Sequence, residues 1–456
     1  MRQRITFIQE PEYSTDPKTI HVTKNEKIST LSAKNVIAAR EDRITFGFEE
    51  LPQELYRLLK GCHELHIRWV SEREYSTLGP MASFTKLPVE RFSLSAATQY
   101  YTPLSSLKDG FQTYLENKIC SRSNSMCLSR VQELDTAASL DIDYDTISHA
   151  LTITAFWPPT QWDIDLQNTN PKERMEVGIL SVVPPQEREE LSLGGFLTVV
   201  GEDTKPSPTL FSFPARHHSL PQTFSTSFNS PTGLHPTLKL SISASEPPFP
   251  PDERSCSLHA HLTLPRALFP DKYQFSDPLY LASKNLSALH HITSPIDLEA
   301  PSYTLTTWGS TLLLALAPPT LGPSFTAEIP LHLRYLPPSH NSSTYLEFAY
   351  PTLFWACPED EGTKFPINPF DRTNVGYDGL FGPRTMFYHL SPEASEGGRL
   401  VNGLEVPVLG LEASGWVEWG TGAVVAVGFA WVVWCLLVGW GGGYGGKKEE
   451  GRKKRE

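Results

Sequence analysis

The sequence predicts a mainly β protein. A C-terminal, lumenal, antiparallel β-sandwich-like domain is preceded by a mixed α/β N-terminal region and followed by one transmembrane helix. Three observations carry that expectation. Short runs of alternating apolar and polar residues recur along the chain, most regularly between residues 253 and 410. Proline punctuates them, at 39 of 456 residues against a usual ~5 %. The 28 residues between Glu418 and Lys447 carry no charge at all.

Length sets two or three globular units as the starting point. With 39 Lys+Arg against 51 Asp+Glu, a formal charge of −12, the chain does not offer a nucleic-acid surface. Aromatics at 11 % and charged residues at only 20 % exclude a disordered chain.

Taken in order, residues 1–200 read as mixed α/β. Arg43–Phe48 and Glu64–Val70 alternate like strands. Leu51–Lys60 places leucines at helical spacing behind Pro52, and Leu104–Ile119 is a second helix candidate. His149–Phe156 reads as a strand stopped by Pro158-Pro159. Residues 201–252 read as a Pro/Ser-rich connection holding one strand, Leu238–Ala244. Residues 253–410 read as all-β, with strands at Leu258–Leu264, Tyr303–Thr307, Thr311–Ala317, Ile329–Tyr335 and Thr344–Tyr350.

Residues 420–440 read as the membrane span. Gly420–Trp440 supplies 21 apolar or small residues, enough at 1.5 Å each to cross a core of about 30 Å. Trp416, Trp419, Trp440 and Tyr444 flank it where amphipathic rings favour the headgroups. Gly422, Ala426 and Ala430 form a small-residue stripe suited to packing against another membrane helix. The tail, 441–456, carries six basic against three acidic residues, which predicts a cytosolic tail and a lumenal ectodomain. Lys453 and Lys454, fourth and third from the end, resemble a dilysine retrieval signal of the endoplasmic reticulum. Asn285-Leu-Ser and Asn341-Ser-Ser are N-glycosylation sequons that fit a lumenal placement. The N-terminus shows no apolar stretch of a cleaved signal peptide, which by itself points the other way.

Of six cysteines, Cys435 lies inside the span. Cys120 with Cys127 would close a short loop, and Cys256 with Cys357 would staple the C-terminal domain. Buried free thiols are the alternative, and spacing does not fix the pairing. Asp141-Ile-Asp143 and Asp163-Ile-Asp165 carry the D-x-D pattern that a nucleotide-sugar transferase uses to hold a divalent metal. Alternating Asp on the wet face of a strand produces the same pattern. His259 and His261 share one strand face, but a metal site needs a third ligand and none stands nearby. His217-His218 and His290-His291 read as loop residues.

Leu262-Thr-Leu-Pro265-Arg-Ala-Leu-Phe269-Pro-Asp271-Lys-Tyr273 is followed by Asp297-Leu-Glu299-Ala-Pro301. Then come Leu331-His332-Leu-Arg334-Tyr335-Leu-Pro337, Tyr345, Pro351 and Phe354-Trp355-Ala-Cys357. These segments resemble the PIG-X family and its fungal Pbn members, over about residues 255–440. The resemblance implies an essential, non-catalytic, chaperone-like subunit in the endoplasmic reticulum. It would stabilise the multi-spanning catalytic mannosyltransferase subunit that adds the first mannose of the glycosylphosphatidylinositol (GPI) anchor. It further implies glycosylation, no cleaved signal peptide, no cofactor, no metal, no catalytic residue and no small-molecule substrate of its own. His332, Arg334, Tyr335 and Trp355 match the family motif. On the strand Ile329–Tyr335, alternation puts Ile329, Leu331, Leu333 and Tyr335 inward, with His332 and Arg334 outward, either for a partner or for a cross-strand ion pair. The alternatives are a general membrane-bound folding factor and a lumenal glycosyltransferase working through an Asp pair.

Overall fold

The computed structural model describes the chain apart from residues 26–27, 71–81, 89–97, 103–107, 121–124, 171–172, 188, 244–245, 251–254, 294–297, 307, 320–323, 360–364, 366–375, 395–397 and 443–456. The protein is mainly β, with two compact units. One comprises Met1–Arg334 with Glu347–Leu404, the other Tyr335–Leu346 with Glu405–Glu456.

The first unit holds two large sheets. The N-terminal sheet has eleven strands, and its spine is a pair of 19-residue antiparallel strands, Ser29–Gly47 and Ala150–Asn168. Ile5, Phe7, Leu31, Val36, Ile164 and Val177 form one core on it. Ala137, Leu140, Ala155 and Trp157 form another. Pro158-Pro159 does not stop the second spine strand as expected. Trp157 faces Arg40 and Thr160 faces Ala38, so both prolines fall at a register shift. There the missing N–H costs no ladder bond. Helices are short accessories: Gln53–Leu59 buries Leu59, Ser125–Glu133 buries Val131, and the chain is helical from Lys108 to Ile119. Residues 104–107 of that last candidate lie outside the described residues. A Cys120–Cys127 disulfide closes the neighbouring loop.

The second sheet has eight strands, ordered Leu286–Ile292, Gly309–Leu316, Ser257–Pro265, Thr352–Pro358, Thr385–Pro392, His217–Phe228, Thr237–Ile242 and Phe325–Pro330. Residues 201–252 are therefore more than a connection with one strand. They supply Ser207–Pro214 to the first sheet and two strands to the second. Their Ser, Thr and Pro hide the pattern, yet Leu238, Leu240 and Ile242 alternate inward and are fully buried. Tyr303–Thr307 forms no strand over its described part; Ser302–Thr304 is a single 3₁₀ turn. Ser257–Pro265 is buried on both faces, so its histidines face core rather than water. The Cys256–Cys357 disulfide joins this strand's start to its neighbour, beside the Ser257–Ala356 pair.

In the second unit, Ser339 N donates to Leu409 O, Val408 N to Ser342 O and Leu411 N to Ser339 O, fastening the turn at 339–342 to the start of helix Leu411–Gly442. That helix has 32 residues, about 48 Å at 1.5 Å each, and a mean hydropathy of 2.2 over its best window, with no burial inside the protein. It is a candidate membrane span. It starts earlier than the uncharged segment, with Trp416 and Trp419 exposed on its first turns. Gly422, Ala426 and Ala430 lie exposed along it, while Lys453 and Lys454 lie outside the described residues.

Gly309 pairs with Pro265 where the backbones approach closest, and a Cβ there would lie 2.0 Å from Leu264 O. Gly309→Ala is expected to cost about 2–4 kcal/mol. A lowered urea midpoint of the purified chain checks this.

Candidate functional site

The motif residues converge on one buried guanidinium. Strand Phe325–Pro330 ends at its proline, and the chain resumes pairing only at His332–Leu333, against Leu268–Phe269. This break shifts the alternation expected for Ile329–Tyr335. Ile329 and Leu331 point inward as expected, but Arg334 is also buried, 4 % exposed, and Tyr335 is exposed at 69 %. Arg334 N donates to Ala267 O, its Nη1 donates to Ala300 O at 2.9 Å, and its Cζ lies 4.3 Å from the Phe269 ring centroid. Residues of three motif segments, at 267–269, at 300 and at 334, thus meet at Arg334. The guanidinium therefore faces inward, not outward as the alternation predicted.

His332 is half-buried and stacks on Phe269. Its Nε2 donates to Gln274 Oε1 at 3.1 Å, which leaves Nδ1 to accept from His235 Nδ1 at 2.9 Å. Burial, then the neighbouring His235, lowers its pKa. Trp355 is buried beside the disulfide, between Leu258 and Tyr388 on the adjacent strands.

Imidazoles and aromatic rings fill the centre of the eight-stranded sheet. His217 Nδ1 and His389 Nε2 share a hydrogen bond of 3.0 Å, and Tyr377 Oη lies 3.4 Å from the same Nε2. Tyr377 stacks on Phe354 at 4.4 Å and packs against His261 at 5.3 Å. Burial drives His261 and His389 down to about 3 and His259 to about 4, and holds His217 well below its usual 6.5. These rings are neutral at pH 7. Sequence reasoning missed the cluster because it read His217-His218 and His290-His291 as loops, whereas both pairs lie on strands. Around His290 the register shifts twice, at Leu286/Ala288 and Leu289/His291, which erases the two-residue period that would have shown the strand. The rim of the cluster opens into a cleft of about 340 Å³ lined by His259, His290, His291, Phe381 and Thr385.

The Asp motifs have different surroundings. Asp141 is buried and accepts from Arg68 Nε at 2.6 Å, directly across the strand pair, and Asp143 faces and bonds His66. Asp145 accepts from the backbone N–H groups of Ile147 and Ser148. This is a cross-strand ladder of ion pairs in which Arg68 already supplies the positive charge a metal would bring. Asp163 and Asp165 are exposed on the wet face of their strand. Both sequons are exposed: Asn285 ends helix Pro278–Ser283 at φ 57°, with Nδ2 donating to Thr326 O, and Asn341 sits in the 339–342 turn.

A family model described as PIG-X / PBN1 matches residues 231–437. The chain is 44 % identical to "Protein pbn1" of Neurospora crassa, over 96 % of this chain and 95 % of that one. It is 42 % identical to "Protein pbn1" of Emericella nidulans over the same shares. Identity to "Protein PBN1" of Saccharomyces cerevisiae is 31 %, over 48 % of this chain and 49 % of that one.

Two outcomes follow from the charges. Between pH 6.5 and the folded values near 3 and 4, unfolded chains bind protons at His259, His261 and His389 that folded chains refuse. Stability is therefore complete above pH 6.5 and falls with decreasing pH, by about 1–2 kcal/mol per buried histidine at pH 5. Urea midpoints at pH 7.5 and 5.0 check this. Asp141→Asn, which removes the buried carboxylate charge facing Arg68, is expected to cost about 3–5 kcal/mol. The Asp163→Asn/Asp165→Asn double variant should change stability by no more than ~0.5 kcal/mol, read from the same midpoints.

Proposed function

The chain belongs to the PIG-X / PBN1 family, and from that premise we propose that it is a non-catalytic, chaperone-like stabilising subunit of the endoplasmic reticulum mannosyltransferase that adds the first mannose to the GPI anchor. Membership supports a role in GPI-anchor biosynthesis. Its partner is the multi-spanning catalytic subunit, and its domains 1–200, 201–252 and 253–410 face the lumen. The span at 420–440 leads to a cytosolic tail, 441–456, with Lys453 and Lys454 as the retrieval signal.

The observation that carries the reading is helix Leu411–Gly442, which follows the β ectodomain directly and buries none of its apolar surface within the chain. A helix apolar on every side needs lipid or other membrane helices around it, and Gly422, Ala426 and Ala430 provide a face for close approach. Two disulfides, Cys120–Cys127 and Cys256–Cys357, support a lumenal ectodomain, since such bonds persist in oxidising compartments. Exposed Asn285 and Asn341 agree with glycosylation there.

Affinity purification of the tagged full chain in mild detergent is expected to recover one multi-spanning protein at about equal amounts. Depleting the chain should lower that partner's level and stall the anchor precursor before its first mannose. Endoglycosidase should shift the wild type but not the Asn285→Gln/Asn341→Gln variant. An ectodomain that is digested in sealed microsomes, with no such partner recovered, would overturn the reading.

A further inference from the structure

The cleft beside the imidazole cluster has the chemistry of a binding site, and we propose that it binds one neutral pyranose ring, either a free hexose or the terminal residue of a glycan. The argument does not depend on the mannosyltransferase reading. At about 340 Å³ the cleft lies at the lower end of the roughly 300–1,000 Å³ typical of small-molecule pockets.

His259 decides what it accepts. The imidazole is 1 % exposed, and its Nδ1 donates to Ser257 O at 3.0 Å, so that nitrogen carries the proton. Nε2 is then a lone-pair acceptor, buried and without a hydrogen-bond partner among the described residues, on a residue that lines the cleft. A ligand hydroxyl is the complementary donor. Thr385, Ser255 and Ser257 add hydroxyls that both donate and accept, and His290 adds a second imidazole 4.8 Å from His259.

Apart from His291, the rest of the described wall is apolar. Phe381 meets His259 edge to face at 5.0 Å and 89°, with Leu313 and Ala356 behind. A pyranose has this division: a C–H face that packs on an aromatic or aliphatic surface, and a rim of hydroxyls. Among the described lining residues there is no Asp, Glu, Lys or Arg, which favours a neutral ligand over a phosphate, a carboxylate or an ammonium. Among the described residues, His259, His290 and His291 are not part of a group of three or more metal-ligand side chains.

Saturation-transfer NMR on the detergent-solubilised full chain at pH 7 tests this, with methyl glycosides of mannose, glucose, galactose and N-acetylglucosamine. At least one is expected to bind with a Kd of about 1–10 mM. Thr385→Val and His290→Ala should each weaken it by about tenfold, and His259→Phe should abolish it, with unchanged melting temperatures for the first two. His290 is exposed and Thr385 is partly buried at a strand start, so these two test the idea even if His259→Phe fails to fold. No binding of any glycoside at about 50 mM, or binding unaffected by the variants, overturns the proposal. So does saturable binding of zinc or of a hydroxyl-rich peptide in place of the sugars.

Discussion

The C-terminal half depends on how one charge is buried. A guanidinium cannot be neutralised, so Arg334 is tolerable inside only where carbonyls and a ring face replace its water. The Ala300 carbonyl and the Phe269 ring do so for the side chain, while the backbone N of Arg334 donates to Ala267 O. Truncating Arg334 would loosen the segments around Phe269 and Ala300 together. That is a physical reason for the three motif segments to occur together. The same connection makes His332 a satellite: its stacking on Phe269 and its bond to Gln274 depend on the loop that Arg334 anchors.

The sheet interior is the complementary case. Lysine or arginine would be too costly there, whereas imidazole surrenders its proton and packs as an aromatic. His217, His261 and His389 around Tyr377 and Phe354 therefore fill the core as neutral rings that still accept hydrogen bonds. The residues at the rim of this cluster are the ones that line the cleft, so its polarity follows from the composition of the core beneath it.

Much of the fold was legible in the sequence where period and composition agreed. The alternation of Leu258–Leu264 and the charge-free stretch after Glu418 marked a strand and a membrane-type helix that the structure contains. Legibility failed wherever backbone irregularity decoupled period from face. Pro158-Pro159 passed through a strand at a register shift, Pro330 moved Arg334 from the outside to the inside, and paired bulges hid His290 and His291 on a strand. Residues 201–252 failed for another reason. Strands rich in Ser, Thr and Pro look like a linker until distant partners such as Thr385–Pro392 cover them. The cleft was illegible because its walls come from strands and turns more than 100 residues apart, from Ser255 to Thr385.

These features also restrict where the protein can work. Cys256–Cys357 closes a loop of about a hundred residues around the second sheet and persists only in an oxidising compartment. The neutral imidazole core loses stability as pH falls, because burial lowers the pKa of His261 and His389. The first constraint comes from covalent chemistry and the second from desolvation, and they involve different residues. A near-neutral, oxidising lumen satisfies both. Both are compatible with the lumenal placement proposed from the charge of the tail.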